Sequence, residues 1–317
     1  MSTRNTVTTT AAIPARRRRY DWYTALTFFG FVGPLLLGLL FFTALPIVWG
    51  FLVSLNDARS TVDVGKWIGF TNYASMLSDS AFLDSLRVVS IFAVFIIPTT
   101  FFLGLGLALL VNSVARGQAF FRSVFFLPTA CSYVVASLIW RMGLFNGVRY
   151  GIANMLIGLF GVDPIAWIQT MPWTWLVLVT VRLWLQLGFI MLIFLAGLQE
   201  IPRHLYEAAR VDGAEPGWTT FWRITFPLLR NTSIFVLFIN IIAAFQAFDE
   251  FYNILSTIGG SSNALGARPP LWYLYSVTFS DQDYGRGSAG AFIIAALILL
   301  VTLVQLRVFG LGRSEVA

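Results

Sequence analysis

Residues 88–115 read VVSIFAVFIIPTTFFLGLGLALLVNSVA, a run of 28 residues without a charged side chain. A transmembrane helix needs about 20 mostly apolar residues, because its rise of about 1.5 Å per residue must cross about 30 Å of hydrocarbon. This run is therefore long enough to cross a membrane. Over the whole chain of 317 residues, 57% are hydrophobic and 11% are charged, whereas soluble globular chains have about 25% charged residues. The composition predicts a polytopic membrane protein.

Five further charge-poor windows have a similar length. They are Trp22–Asn56, Ser123–Trp140, Leu183–Gln199 (which extends back to Trp175 across Arg182), Asn231–Phe248 and Gly287–Leu306. The first window is too long for a cleaved signal peptide, so we expect it to stay in the membrane. We predict an all-α protein with six transmembrane helices over residues 24–308, free of Asp and Glu inside the spans. A disordered basic tail is expected at 1–23, and a second tail at 309–317.

Three long connections are expected on one side of the membrane. Residues 57–86 and 249–286 are rich in turn-forming residues and are predicted to be loops. In the third connection, residues 141–174, the apolar piece Ile152–Phe160 is too short to span. We expect this piece to lie at the membrane interface or to cap the bundle.

The distribution of basic residues predicts the orientation. The side that carries both tails holds 13 arginines, including the run Arg16–Arg19, and the other side holds seven basic residues. Basic residues near spans favour the cytoplasm, so we predict a multi-pass protein of the cell membrane with both termini cytoplasmic. The arginine run is interpreted as an anchor at the inner leaflet rather than as a nucleic-acid site.

The cytoplasmic connection between the fourth and fifth spans, residues 199–230, has the pattern of two helices. Pro202 suits a first helical turn, and apolar residues then recur at helical spacing up to Gly213, which can end a helix. Pro216-Gly217 favours a turn, and a second amphipathic helix fits Thr219–Phe226. We call residues 199–230 the coupling segment.

The coupling segment contains EAARVDGA at 207–214 and ITFPLL at 224–229. These stretches resemble the EAA loop of binding-protein-dependent ABC importer permeases. GFTNY at 69–73, Arg122–Pro128, Trp184, LAGL at 195–198 and FD at 248–249 are similar to the carbohydrate branch, which includes maltose, glycerol-3-phosphate and multiple-sugar permeases. The spacing from Gly213 to Pro227 is 14 residues, whereas the family pattern usually has about 13, so one residue is inserted near Pro216.

The resemblance implies that the coupling segment docks on a cytoplasmic ATPase. The residues that it assigns to this contact are Glu207, Ala208, Ala209, Asp212, Gly213, Ala214, Phe221 and Pro227. The implied partners are a homologous second permease, two copies of the ATPase, an extracytoplasmic solute-binding protein and a carbohydrate substrate, all within membrane lipid. The chain has no GxxxxGK[ST] phosphate loop, so ATP and Mg²⁺ belong to the ATPase and no cofactor is expected here.

A sugar pathway needs side-chain amides for the hydroxyl groups and aromatic rings for the C–H faces. The candidates are Trp184 and Gln186 in the fourth span and Asn240, Phe245 and Gln246 in the fifth. The alternative interpretation is that these amides hydrogen-bond between helices as packing contacts. Arg182 is the one charge expected inside a span, and we expect it to reach the membrane surface or line the mouth of the bundle.

Three alternative functions stay open. The first is a permease for a non-sugar solute. The second, an ion-coupled secondary transporter, is disfavoured because no span is expected to hold a carboxylate. The third is a membrane enzyme, which needs a catalytic or metal cluster; the chain has a single histidine, His204, and a single cysteine, Cys131. We therefore expect a transport subunit with neither a catalytic nor a metal site.

Overall fold

The computed structural model describes residues 22–63, 65–114, 116–215, 217–256 and 266–309, so the predicted tails lie almost entirely outside the described residues. The helices are α1 (Trp22–Leu39), α2 (Leu45–Ser54), α3 (Thr71–Ser78), α4 (Ser80–Ser113), α5 (Gln118–Phe126), α6 (Tyr133–Leu138), α7 (Ile152–Gly158), α8 (Trp173–Glu200), α9 (Arg203–Val211), α10 (Trp218–Thr220), α11 (Phe226–Leu228), α12 (Arg230–Phe245), α13 (Asp249–Leu255), α14 (Pro270–Tyr275) and α15 (Tyr284–Phe309). Short π-helical turns lie at Leu40–Ala44, Ile139–Leu144, Phe221–Thr225 and Ser276–Ser280, and a 3-10 turn lies at Leu127–Ala130. The chain divides into two compact units after Gly50.

Five helical stretches of the described chain are long and apolar enough to cross a membrane. They are Ala25–Ser54, Ser80–Ser113, Trp173–Glu200, Arg230–Leu255 and Tyr284–Val308. The predicted third span, Ser123–Trp140, is not one straight helix: Gln118–Ala130 and Tyr133–Leu144 meet at an angle of 87°. Pro128 lies in the 3-10 turn at this break, and Cys131 and Ser132 are extended. Proline cannot continue an α-helical hydrogen-bond ladder, which explains why the apolar window is bent there.

The second unit, residues 51–309, is built on the contact between α4 and α8. Residues 88–96 of α4 share a core cluster with residues 177–185 of α8, and residues 101–111 share another with residues 190–198. The two helices therefore run parallel, and their last turns lie at the end of the bundle that carries the coupling segment. We call this the coupling end and the opposite one the far end. Gly188 allows close packing, since a Cβ atom there would collide with the Phe125 carbonyl.

The connections at the far end are not the loops that we predicted. The connection at 57–86 begins within a two-stranded antiparallel hairpin, β1 (Asn56–Asp57) with β2 (Lys66–Trp67), which is followed by α3 and the first turns of α4. Residues 249–286 contain α13, α14 and the start of α15. Turn-forming residues misled the prediction because they also occur at the ends of short helices.

A polar network joins these far-end elements. The Asp79 carboxylate accepts hydrogen bonds from the Tyr273 hydroxyl at 2.6 Å, from Arg286 Nη2 at 2.7 Å and from the Ala81 amide at 3.0 Å. Burial alone would raise the pKa of Asp79, but these hydrogen bonds outweigh burial and hold the pKa below its ordinary value. Burial and the bond to Asp79 raise the pKa of Tyr273 to about 12. The network fixes α3, α4, α14 and α15 to one another.

Candidate functional site

The coupling segment has the predicted helix, turn and second helix. Helix α9 ends in a Schellman motif: Gly213 has φ +83°, its amide donates to the Arg210 carbonyl at 3.0 Å, and the Ala214 amide donates to the Ala209 carbonyl at 2.8 Å. Glycine suits this position because side chains strain a left-handed backbone. The predicted Pro216-Gly217 turn is described only at Gly217, which has φ +149°.

One face of α9 is attached to the bundle. Leu205 and Tyr206 pack on the core cluster formed by α4 and α8, and the Tyr206 hydroxyl lies 3.1 Å from Thr225 Oγ1. The second helix begins with α10, continues through the π turn and ends in α11. This contact therefore ties the two halves of the coupling segment to each other and to the core.

The residues predicted to contact an ATPase divide into two groups. Five of them are exposed to water: Glu207, Ala208, Asp212, Gly213 and Pro227. The other three are half-buried: Ala209, Ala214 and Phe221. Phe221 packs against the rings of Trp218 and Trp222, with centroid distances of 5.9 and 5.2 Å. Phe221 thus supports the surface of the segment from inside, while the first group faces outward.

A buried ion pair between α8 and α13 is a polar feature that the sequence did not predict. Arg182 Nη1 lies 3.0 Å from Glu250 Oε1, and the two side chains are 7% and 0% exposed. Arg182 Nη2 also donates to the Ala243 carbonyl, and its guanidinium carbon lies 5.3 Å from the centre of the Tyr133 ring. The prediction that Arg182 reaches the surface or lines the mouth is wrong, because a partner is available inside the bundle.

The expectation of spans without Asp or Glu is also wrong. The helical stretch Arg230–Leu255, which is long and apolar enough to cross a membrane, continues past the predicted end at Phe248 and includes Asp249 and Glu250. A charge inside a membrane costs several kcal/mol unless it is paired or hydrated. Pairing with Arg182 removes most of that cost. Glu250 can therefore lie in the continuation of this stretch beyond Phe248, the predicted end of the fifth span.

The candidate sugar residues lie in different environments. Gln186 lies beside the Tyr133 side chain, near the ion pair, and Trp184 packs on Trp140 with ring centroids 5.1 Å apart. Asn240 is 5% exposed and its Nδ2 atom has no hydrogen-bond partner, whereas Phe245 belongs to the core cluster. Gln246 directly follows the last residue of α12 and lines an open groove of about 580 Å³ between α12 and α15. The structure thus gives the five residues separate surroundings.

Comparison with known proteins gives the family. The sequence profile of the family described as "Binding-protein-dependent transport system inner membrane component" matches residues 100–309, which include the coupling segment and both partners of the ion pair. The chain belongs to this family. It is therefore a permease, the membrane-embedded component of a transport system rather than an enzyme.

Individual relatives resemble this permease over most of their length. The trehalose/maltose transport system permease protein MalF of Thermococcus litoralis is 32% identical over 275 residues, which cover 87% of this chain and 90% of the relative. The sulfoquinovosyl glycerol permease protein SmoG of Agrobacterium fabrum is 35% identical over 243 residues, 77% of each chain. The sn-glycerol-3-phosphate permease protein UgpA of the same organism is 33% identical over 245 residues, 76% of this chain and 80% of the relative.

A solved structure shows the same fold. A chain of a bacterial ABC transporter that imports the acidic polysaccharide alginate superimposes with a TM-score of 0.79 and covers 92% of the permease and 98% of that chain. The sequence identity is 19%, so this likeness concerns the fold alone.

Sequence reasoning missed two exposed apolar residues of the permease's coupling segment. Val211, beside the end of α9, is 88% exposed, and Trp218, the first residue of α10, is 75% exposed. Large apolar side chains grouped on a surface mark interaction sites. Val211 lies inside the EAARVDGA stretch and Trp218 lies between it and ITFPLL, and these positions are the signal in the sequence; the resemblance points mainly to the charged and small residues.

No metal centre is found among the described residues, where no group of three or more His, Cys, Asp or Glu side chains could hold an ion.

Proposed function

We propose that this permease imports a sugar or an oligosaccharide, delivered by an extracytoplasmic binding protein and driven by a separate ATPase. The observation that carries the proposal is the trehalose/maltose relative, which matches 87% of this chain and 90% of its own length. The glycerol-3-phosphate relative supports a second candidate, a phosphorylated polyol. Both candidates are hydroxyl-rich solutes.

The coupling segment is the proposed contact with the ATPase. Val211 and Trp218 offer apolar anchors, and the exposed carboxylates Glu207 and Asp212 add charge that an oppositely charged cleft can select. Because Leu205 and Tyr206 fix α9 to the core, movement of the ATPase would be transmitted to α4 and α8 as a rigid-body rotation. ATP and Mg²⁺ would bind to the ATPase.

The proposed topology places the coupling end and both termini in the cytoplasm, with a membrane domain over residues 24–308 and tails at 1–23 and 309–317. The excess of arginine on this side supports it. The complete transporter would contain a homologous second permease and two copies of the ATPase.

The ion pair explains how a permease with charges in its spans can carry a neutral solute. Arg182 and Glu250 cancel each other's charge, so they leave no net charge beside Gln186. The unpartnered Nδ2 atom of Asn240 is a buried donor that a sugar hydroxyl would satisfy. Trp184, Gln186, Asn240, Phe245 and Gln246 remain the proposed pathway residues.

Two assays test this function. The purified complex should contain an ATPase and a second permease, and cells should accumulate labelled trehalose, maltose or glycerol-3-phosphate only when the chain is present. Asn240→Ala, Gln186→Leu and Gln246→Ala should each weaken uptake while basal ATP hydrolysis and assembly persist. A complex without an ATPase would contradict the transport class; unchanged uptake in all three variants would place the pathway elsewhere.

The orientation has its own test. In a Cys131→Ala background, a cysteine at Asp63 should react with an impermeant thiol reagent in intact cells, and a cysteine at Thr219 should react only after the cells are opened. Both parent side chains are exposed. The reverse pattern would contradict the topology.

A further inference from the structure

The far-end segment between the bent helix pair and α8 contains a short helix whose large exposed side chains are apolar. We call residues 145–172 the cap. Its helix α7 buries Asn154, which is 3% exposed, and directs apolar side chains outward. Ala153 and Ile157 pack on the core cluster, as expected, but a helix that faces water would carry polar side chains on its outward face.

The buried Asn154 side chain is fully hydrogen-bonded. Asn154 Nδ2 donates to the carbonyls of Val148 at 3.0 Å and Ile165 at 3.1 Å. Its Oδ1 atom accepts from the Ile165 amide at 3.0 Å and from Trp167 Nε1 at 2.7 Å. An amide side chain has two donor hydrogens and two acceptor positions, and all four are used here. The cap is therefore held in one conformation from within.

The outward face is a continuous apolar stripe. Ile152, Met155, Leu156 and Leu159 follow one another at the i, i+3, i+4, i+7 spacing of a single helix face. Their exposed fractions are 49%, 57%, 56% and 77%, and the adjoining Phe160 is 85% exposed. An apolar surface of this kind marks a contact with another apolar phase.

The position of the cap indicates that the apolar surface contacts membrane lipid. The cap connects Leu144, where the bent helix pair ends, to Trp173, where a membrane span begins. Both of its ends therefore adjoin helices that are long and apolar enough to cross a membrane, one of them as a bent pair. Tyr150, 81% exposed, lies two residues before the stripe, and such an aromatic side chain favours the headgroup region. The exposed Arg149 suits the phosphate of an anionic headgroup.

We propose that the cap is an interfacial anchor whose apolar stripe inserts into the leaflet at the far end of the permease. A partner that must dissociate, such as a binding protein, is less well matched, because interfaces of that kind carry a polar rim with hydrogen bonds. Within Ile152–Val162 the only polar side chain is that of Asn154, whose hydrogen-bonding groups are already used.

The test is spin labelling of the complete transporter in liposomes that contain an anionic lipid. In a Cys131→Ala background, single cysteines replace Met155 and Phe160 on the stripe, and Asp163 serves as an exposed control just beyond it. Labels at 155 and 160 should collide with oxygen, which concentrates in lipid, about tenfold more often relative to a water-soluble nickel chelate than the label at 163.

Two results would overturn the anchor. Free collision of the stripe labels with the nickel chelate would mean that the stripe faces water. Protection from both oxygen and the chelate would mean that a protein, such as the second permease, covers it. Uptake by each labelled variant is the check that the transporter remains assembled.

Discussion

The coupling segment and the Arg182–Glu250 pair both carry charged side chains, and they treat those charges in opposite ways. Glu207 and Asp212 in the coupling segment are exposed to water, whereas Arg182 and Glu250 are buried against each other. Exposed charges keep their hydration and are free to meet a partner, but buried charges lose hydration and must be compensated inside the protein. The first region is thus suited to docking and the second to holding helices together.

The largest expected effect comes from breaking the buried pair. Glu250→Leu leaves the Arg182 guanidinium buried without its partner and should lower the free energy of unfolding by about 3–5 kcal/mol. The double variant Arg182→Met with Glu250→Leu removes both charges and should recover most of this loss. Thermal unfolding of the purified permease measures both. Unfolding of Glu250→Leu at the wild-type temperature would show that the pair does not hold the helices.

The next effect concerns the end of α9. Gly213→Pro cannot adopt φ +83° and loses the amide that donates to Arg210, so the coupling segment should lose its turn and uptake should fall at least about tenfold. Gly161→Pro is the matched control, since Gly161 also has a positive φ, of 75°, and an amide bonded to a carbonyl three residues earlier. It lies in the cap, so uptake should remain near the wild-type rate.

Equal uptake losses in the two glycine variants, at equal amounts in the membrane, would mean that the change acts through general stability rather than through coupling.

A smaller effect is expected at the exposed surface of the coupling segment. Trp218→Ala removes the aromatic anchor and should weaken the affinity for the ATPase about tenfold, which corresponds to about 1.4 kcal/mol. Tyr150→Ala removes an aromatic ring of similar exposure at the far end and should leave this affinity unchanged. Titration of the purified ATPase onto the permease pair measures both, and a shared loss would remove Trp218 from the contact.

The smallest effect is expected in the far-end network. Asp79→Asn should lower the free energy of unfolding by about 1 kcal/mol at neutral pH, because it weakens the hydrogen bonds from Tyr273 and Arg286. Asp84→Asn should change it by less than about 0.5 kcal/mol, since the Asp84–Arg87 pair is largely exposed.

The stability difference between wild type and Asp79→Asn should depend on pH. The folded-state pKa of Asp79 is lowered, so its contribution is present above the ordinary carboxylate pKa of about 3.9 and is lost as the pH falls through the lowered value. The difference between wild type and Asp79→Asn should therefore stay constant from neutral pH down to about pH 5 and shrink below about pH 4. A difference that disappears between pH 5 and 7 would contradict the lowered pKa.

The two regions also differ in how far sequence could predict them. The coupling segment is predicted by residues that are close together in the sequence: Gly213 and the apolar spacing before it indicate a helix and its end within a dozen residues. The ion pair joins residues 68 positions apart, and no spacing rule connects Arg182 with Glu250. A span defined by the absence of charge also ends at Phe248, before Asp249, and this places Glu250 in a loop.

The third span shows a different limit of prediction from hydropathy: the apolar window is right, but the helix in it is bent. Its apolar composition predicts a span, but hydropathy counts residues without their backbone geometry, and the helix breaks at Cys131 and Ser132, three residues after Pro128. The candidate sugar residues were chosen by chemical type, which cannot say whether Gln186, Asn240 and Gln246 meet at one place. Packing among distant helices decides that.

The measurement that tests docking of the coupling segment most directly is the labelling rate of a cysteine at Val211 in a Cys131→Ala permease, purified with and without its ATPase. Val211 is 88% exposed, so a thiol there should react rapidly in the absence of the ATPase and at least about tenfold more slowly in the complex. A control cysteine at Asp63, at the far end, should react at the same rate in both samples. Equal rates at Val211 with and without the ATPase would contradict the proposed contact.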